Sequence, residues 1–161
     1  EIHEAFTKDP SLIGSFYCHS LTKRNEIFFG LACLHFIEKD YESADALFRR
    51  SFEDSGRRQG RAETICRFYL DRQMDERALQ WLILAHEATL AHEGPAPSAL
   101  QAPPVLGPLA YEAAETFCLR RQWPLAERAL QLAVQIDPAR FDHARFDRLL
   151  QGVEKGAGGP A

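Results

Sequence analysis

No Cys-x-x-Cys pair occurs in the 161 residues, and the four cysteines, Cys18, Cys33, Cys66 and Cys118, stand far apart, each inside an apolar pattern of helical spacing. That speaks against a disulfide or zinc framework and favours buried free thiols in a reducing compartment, so a cytoplasmic location is expected. The chain begins at Glu1, which leaves room for a signal peptide, an upstream domain or a membrane anchor in a longer protein. Nor is there an excess of positive charge. Nineteen basic against 23 acidic side chains give a net charge of −4, which offers no overall field to nucleic acid or anionic lipid. Long apolar runs are missing too: the stretches 27 to 34 and 79 to 85 fall far short of the roughly 20 residues that a membrane span needs.

Catalytic signatures are equally scarce. The six histidines, at 3, 19, 35, 86, 92 and 143, form no i, i+4 pair and no Cys/His cluster of zinc spacing, and His35 reads as a packed core residue. No Gly-rich phosphate loop, no G-x-S-x-G and no H-E-x-x-H occurs. The adjacent acids Asp75 and Glu76 stand at a helix start, where favourable interaction with the helix dipole explains them without catalysis. The expectation is therefore no enzyme, no catalytic residue, no metal and no cofactor. Eight arginines between Arg49 and Arg77 are nearly balanced by Glu53, Asp54, Glu63, Asp71, Asp75 and Glu76, with few aromatics for base stacking. A solvated, ion-paired face is the better reading of this run. A local anion site at Arg57, Arg58 and Arg61 and, more remotely, a helical-repeat RNA binder remain as alternatives.

What is present is helical periodicity. Apolar residues recur with period 3.6, almost no alternating β-branched runs occur, and an apolar fraction of 45% is enough for a continuous core, so one all-α domain over 1–155 is expected. Proline and glycine concentrate around Pro10, in the stretch EGPAPSALQAPPVLGP at 93 to 108 with its five prolines, and in the tail GAGGPA. The middle stretch cannot continue a helix and reads as an inserted loop over 93–106; the tail, 156–161, reads as disordered.

The segment KDYESADALF at 39 to 48 opens a helix with acids and runs into small and large apolar residues, and it returns in altered form twice. From Ala44 the next equivalent small residue, Ala78, lies 34 positions on, and Ala126 lies a further 48, which is 34 plus a 14-residue insertion matching the proline-rich loop. Around these anchors fall Phe28, Leu31, Ala32, His35, Phe48 and Ser51; then Ala62, Ile65, Cys66, Tyr69, Leu82 and Ala85; then Ala110, Ala113, Ala114, Phe117, Leu130, Ala133 and Pro138. Each copy reads as two antiparallel helices. They can approach closely only where one presents a small side chain, and the alanines mark that crossing. The links KDY, RQMDE and RQWPLAE carry polar residues suited to capping the second helix of each pair.

This pattern resembles the tetratricopeptide repeat, whose 34-residue unit reads W-x2-L-G-x2-Y, then A-x3-F, then P. The resemblance covers units of about 25–58, 59–92 and 107–140, and AFTKDP at 5 to 10 matches AVQIDP at 133 to 138 as the end of an earlier unit. No unit has the family's tryptophan, its first-helix glycine is replaced by Ala32, Cys66 and Ala114, and the middle unit ends at Leu90 without proline. The segment ARFDHARFDRLLQGVEKG, with Phe141, Phe146, Leu149, Leu150 and Val153 along one side, fits a capping helix at about 141–154. Residues 11–24 read either as a short extra helix or as an extension of the next one.

The resemblance implies a right-handed superhelical array of helix pairs whose first helices line a concave groove. At the family's groove positions stand Phe29, Cys33, Phe36 and Ile37, then Glu63, Arg67, Leu70 and Asp71, then Tyr111, Glu112, Glu115 and Cys118. One end is apolar, the other acidic. The pairs that grip a chaperone's C-terminal carboxylate in some family members are here Phe29 with Cys33, Glu63 with Arg67 and Tyr111 with Glu115, and only Arg67 could serve. Arg67 itself, with Glu63 and Asp71 one turn away on either side, is expected in i, i+4 ion pairs.

Two readings of function follow. In the first the chain is a protein-interaction module that takes a peptide or amphipathic helix of a partner in the groove, as a scaffold inside a larger complex. Its Ala, Arg, Leu and Pro usage hints at a GC-rich bacterial source and so at an envelope or secretion assembly. In the second it is a self-associating scaffold, since the helix Asp75–His92 carries Leu79, Trp81, Leu82, Ile83 and Leu84 on more than one side and must be covered either by the proline-rich loop or by a second subunit meeting Trp81 and Leu84.

Overall fold

In the computed structural model residues 21 to 92 and 106 to 140 are described, together with 142, 144, 145, 147, 148, 151 and 155. Six α-helices carry the long segments: α1 (Leu21–Ile37), α2 (Tyr41–Asp54), α3 (Gln59–Asp71), α4 (Asp75–His92), α5 (Leu106–Leu119) and α6 (Trp123–Ile136), followed by a 3-10 turn at Pro138–Arg140. Among the described residues there is no strand. The chain groups into two compact units, Glu1–Arg61 and Ala62–Ala161. In the first, α1 packs on α2; in the second, α5 packs on α6 and α4 touches both.

The helix pairs are built by one turn used three times. Lys39, Gln73 and Arg121 each take a left-handed backbone, with φ of 64°, 62° and 58°. In each case that residue's amide bonds the carbonyl three positions back, and the next amide bonds the carbonyl five back: Lys39 to Phe36 and Asp40 to His35, Gln73 to Leu70 and Met74 to Tyr69, Arg121 to Cys118 and Gln122 to Phe117. This double closure satisfies the last carbonyls of the first helix. The carbonyls of Asp40, Met74 and Gln122 then accept the amides of Ala44, Ala78 and Ala126 at 3.1, 3.0 and 2.9 Å, starting the second helix. Lys39, Gln73 and Arg121 keep the same intervals in sequence as the three alanines.

Capping differs among the three turns more than the link residues suggest. Asp40 is the N-cap of α2 and accepts the Ser43 amide at 3.2 Å. Its other carboxylate oxygen lies 3.2 Å from His35 Nδ1, and these contacts, Ser43's first, hold its pKa below the usual carboxylate value. Gln122 makes no side-chain cap; α6 starts instead with Pro124 in its first turn, where proline's preset φ suits the helix and no amide is lost. Ahead of α4, Met74 has no capping oxygen, and the first-turn acids Asp75 and Glu76 face the helix dipole.

The residues at repeat spacing are the core. Ala44, Ala78 and Ala126 are fully buried, as are Phe28, Phe48, Ile65, Cys66, Tyr69, Leu82 and Phe117. His35 is also buried, as the sequence leads one to expect. In the first unit Ser51 donates to the Asn25 carbonyl at 2.5 Å, and Arg61 donates to the Asn25 side chain, which ties α1, α2 and the start of α3 together. In the second, Arg120 donates to both the buried Asp75 carboxylate and the Leu70 carbonyl. One arginine thus links the C-terminal end of α5 to the start of α4 and the end of α3. α4 is buried on more than one side, with Leu79, Trp81 and Leu82 enclosed.

α1 begins at Leu21, so residues 21 to 24 extend the first helix; residues 11 to 20 and the upstream trace at 5 to 10 lie outside the described residues. The insertion at 93–105 and the tail 156–161 do so as well. α5 opens inside the proline-rich stretch, with Pro108 in its first turn, where the missing amide costs no helix bond. Of the expected capping helix, Ala144, Arg145, Asp147, Arg148 and Gln151 are helical, while the side chains of Phe141, Phe146, Leu149, Leu150 and Val153 lie outside the described set.

A side chain in the left-handed region is strained, and glycine relieves it at some cost in unfolded-state entropy. Lys39→Gly and Arg121→Gly are therefore expected to raise stability, each by about 0.5–1 kcal/mol, in urea denaturation. A loss of stability in both would contradict the turn geometry.

Candidate functional site

The expected groove residues fall in both units, and each unit is taken by itself. In the first, Phe29 is half-buried, its ring 5.3 Å from that of Phe48, with the Arg61 guanidinium 5.1 Å above it. Phe36 is half-buried beside Tyr41, with centroids 5.0 Å apart, and Cys33 is half-buried while Ile37 is 73% exposed. The arginines set aside as a local anion site are already engaged in part: Arg57 donates to Glu53 at 2.8 Å, and Arg61 to Asn25.

In the second unit, Leu70 and Tyr111 are buried, whereas Arg67 and Glu112 are exposed and Glu63 and Glu115 half-buried. Arg67 binds Glu112 through both guanidinium nitrogens, at 3.0 and 2.9 Å. The hydrogen-bonded partner of Arg67 is thus not an i, i+4 neighbour: its fork spans from α3 to α5 and meets the Glu112 carboxylate two-on-two, while Asp71 on its own helix adds only a charge interaction. That hydrogen bonding lowers the Glu112 pKa and raises that of Arg67. Glu115 accepts from Arg145 at 2.5 Å, which holds the segment after the 3-10 turn against α5.

Between these elements lies a cleft of about 560 Å³, lined by Pro108, Tyr111, Glu112 and Glu115 from α5 and by Arg140, Asp142 and Arg145 from the chain that follows α6. Asp137 lies close to two of the lining residues, Tyr111 and Arg140. It ends α6, accepts from Arg140 at 3.0 Å, and sits so close to α5 that a Cβ on Gly107 would lie 2.9 Å from its own Cβ. The Tyr111 hydroxyl is closed off from solvent and has no hydrogen-bond partner among the described residues. Burial first, then the Asp137 charge, push its pKa up. Asp142 accepts the amides of Ala144 and Arg145 at 3.0 and 3.2 Å. The cleft thus mixes three carboxylates and two arginines over an aromatic wall, suited to polar and charged groups of a ligand.

Three of the lining residues, Tyr111, Glu112 and Glu115, are groove positions legible in the sequence. Arg140, Asp142, Arg145 and Pro108 are not, because nothing in a repeat register says that the chain beyond α6 returns to α5. The one available signal is opposite charge: arginines at 140 and 145 follow an acidic helix face.

The other predicted positions carry less. On α4, Trp81 is 3% exposed within the single chain, while Ile83 and Leu84 are half-buried. Cys33, Cys66 and Cys118 are thiols and form no disulfide; Cys66 is buried, with its thiol pushed up to about 12 by desolvation, while Cys33 and Cys118 are half-buried rather than fully enclosed. No group of three or more metal-ligating side chains occurs among the described residues, and no helix there is long and apolar enough to cross a membrane.

The Arg67–Glu112 pair gives a pH-dependent contribution of definite sign. Because the folded Glu112 pKa is depressed, its stabilisation is present above the ordinary carboxylate value and is lost as pH falls through the folded one; at half-exposed positions it is worth at most about 1 kcal/mol. In an NMR titration Glu112 is expected to ionise below the ordinary glutamate value and to return to it in Arg67→Ala. An unmoved midpoint would mean that the pair does not form in solution. No protein-family model, curated protein or solved structure matches the chain.

Proposed function

We propose that the chain is a non-enzymatic protein-interaction module of the tetratricopeptide-repeat kind, taking a peptide or amphipathic helix of a partner along its first-helix faces, as a scaffold within a larger complex. The observation that carries this reading is the cleft on α5, where three groove positions placed by repeat register, Tyr111, Glu112 and Glu115, border one open space of about 560 Å³. Its charged walls fit a ligand bearing Lys or Arg. The Glu112–Arg67 and Glu115–Arg145 pairs are solvent-exposed, and surface pairs of this kind are worth about 0–1 kcal/mol, so a partner's cation can replace an arginine at small cost.

What supports the reading over self-association around Trp81 is the burial of that residue. The recurrent three-residue turn at Lys39, Gln73 and Arg121 supports the repeat assignment, because it keeps the register of the three alanines.

Peptides selected from a random library on the full chain are expected to carry Lys or Arg. Glu112→Lys combined with Glu115→Lys should weaken them at least tenfold, or about 1.4 kcal/mol, chiefly through slower association at low salt. Selected peptides that bind this variant as tightly as the wild type would remove the α5 face as the working surface.

A further inference from the structure

Glu112 and Glu115, the two acids that α5 brings to the cleft, are each met by an arginine from elsewhere in the chain, and the two contacts differ in kind. Arg67 comes from α3 and engages Glu112 two-on-two, at 3.0 and 2.9 Å. Arg145 comes from the chain beyond α6 and brings Nε and Nη2 to a single oxygen of Glu115, both at 2.5 Å. A fork that meets both oxygens of a carboxylate is the more specific arrangement. Glu115 therefore holds the more replaceable of the two arginines.

The backbone that carries Arg145 is kept beside α5 by contacts of its own. Asp137 ends α6 and lies against the first turn of α5, where a Cβ on Gly107 would stand 2.9 Å from the Asp137 Cβ, so only a glycine there allows the approach. Arg140 is tied back to Asp137 at 3.0 Å, and Asp142 accepts the amides of Ala144 and Arg145 at 3.0 and 3.2 Å. None of these contacts uses the Arg145 guanidinium. The side chain is thus tethered next to Glu115 at a high effective concentration, whether or not it is bound.

Tyr111 gives a second, independent observation. It lines the same cleft at 8% exposure, and its hydroxyl is closed off from solvent with no hydrogen-bond partner among the described residues. A hydroxyl buried in this way has lost its bonds to water and gained none in return. The closed cleft carries a cost that a ligand's polar group, or entry of water, would remove.

We infer that Arg145 is an internal pseudo-ligand of the α5 cleft: its guanidinium holds Glu115 in place of an arginine of the partner, and a partner's arginine binds by displacing it. The inference rests on the reading of the chain as an interaction module and adds to it a competitor built into the same chain.

The test titrates a synthetic peptide copying residues 138 to 148 into the isotope-labelled full chain and follows the α5 amides by NMR. Arg145 and Glu115 are 47% and 37% exposed, and an exposed pair closes its site by a factor of no more than about five. Arg145→Ala is therefore expected to bind the peptide about two- to fivefold more tightly than wild type, with Tm lowered by no more than about 4 °C. Adding Glu115→Gln to Arg145→Ala should cancel the gain. Equal affinity of wild type and Arg145→Ala overturns the inference, and so does weaker binding by Arg145→Ala, which would make Arg145 a contact for the ligand rather than its competitor. Amides of Glu112 and Glu115 that do not shift in either protein overturn it too, because the segment is then no ligand of α5. A larger fall in Tm does the same, since Arg145 would then belong to the frame of the fold. Library-selected peptides separate this failure from failure of the module reading: if they lose affinity in Glu115→Lys yet bind wild type and Arg145→Ala alike, the cleft is a binding site and Arg145 does not compete for it.

Discussion

Each helix pair depends on the close approach of two backbones just after a sharp turn. The turn leaves α1, α3 and α5 through a left-handed residue, and five positions later an alanine, Ala44, Ala78 or Ala126, lies fully buried in the helix that returns. The two features need each other. The double hydrogen-bond closure sets where the second helix starts, and a larger side chain at the alanine would force the pair apart in a core packed to crystal-like density. Phe28, Phe48, Tyr69 and Phe117, in the same helix pairs, are likewise fully buried.

That dependence explains what could be read before any coordinates. A period of 34 residues anchored on alanine is written in residue identities, so the helix pairs and most of the core among the described residues were legible. The turn conformation was less so, because Lys39, Gln73 and Arg121 carry no glycine to announce a positive φ. Long side chains misled in proportion to their reach. Arg67 has acids one turn away on its own helix, yet it binds Glu112, 45 positions on, and Arg120 crosses to Asp75, 45 positions back. Sequence spacing along one helix describes only the neighbours on that helix, whereas the guanidinium's planar fork selects the carboxylate it can meet squarely. Trp81 shows the opposite limit. An apolar run signals burial but does not say what does the burying: Trp81 is enclosed within the chain, while Ile83 and Leu84 are only half-buried.

For function, the α5 face gathers chemistry from three stretches of chain: the groove positions of α5, Arg67 from α3, and the arginines that follow α6. Their ion pairs are exposed and therefore exchangeable. The firmer bonds, Arg120 to Asp75 and Leu70, lie away from the cleft and hold the helices that frame it. This division, with fixed contacts in the frame and replaceable ones at the surface, is compatible with the binding role proposed above.

The account stands or falls on the alanine crossings, and one comparison of urea-denaturation curves tests them. Ala126→Leu places added bulk at a fully buried crossing, while Glu127→Leu, the next residue, adds it on an exposed position. The first is expected to lose about 1–3 kcal/mol to overpacking and the second to change by no more than about 0.5 kcal/mol. Equal effects of the two substitutions would contradict the placement of Ala126 at a helix crossing, and with it the repeat register on which the fold and the α5 face both rest.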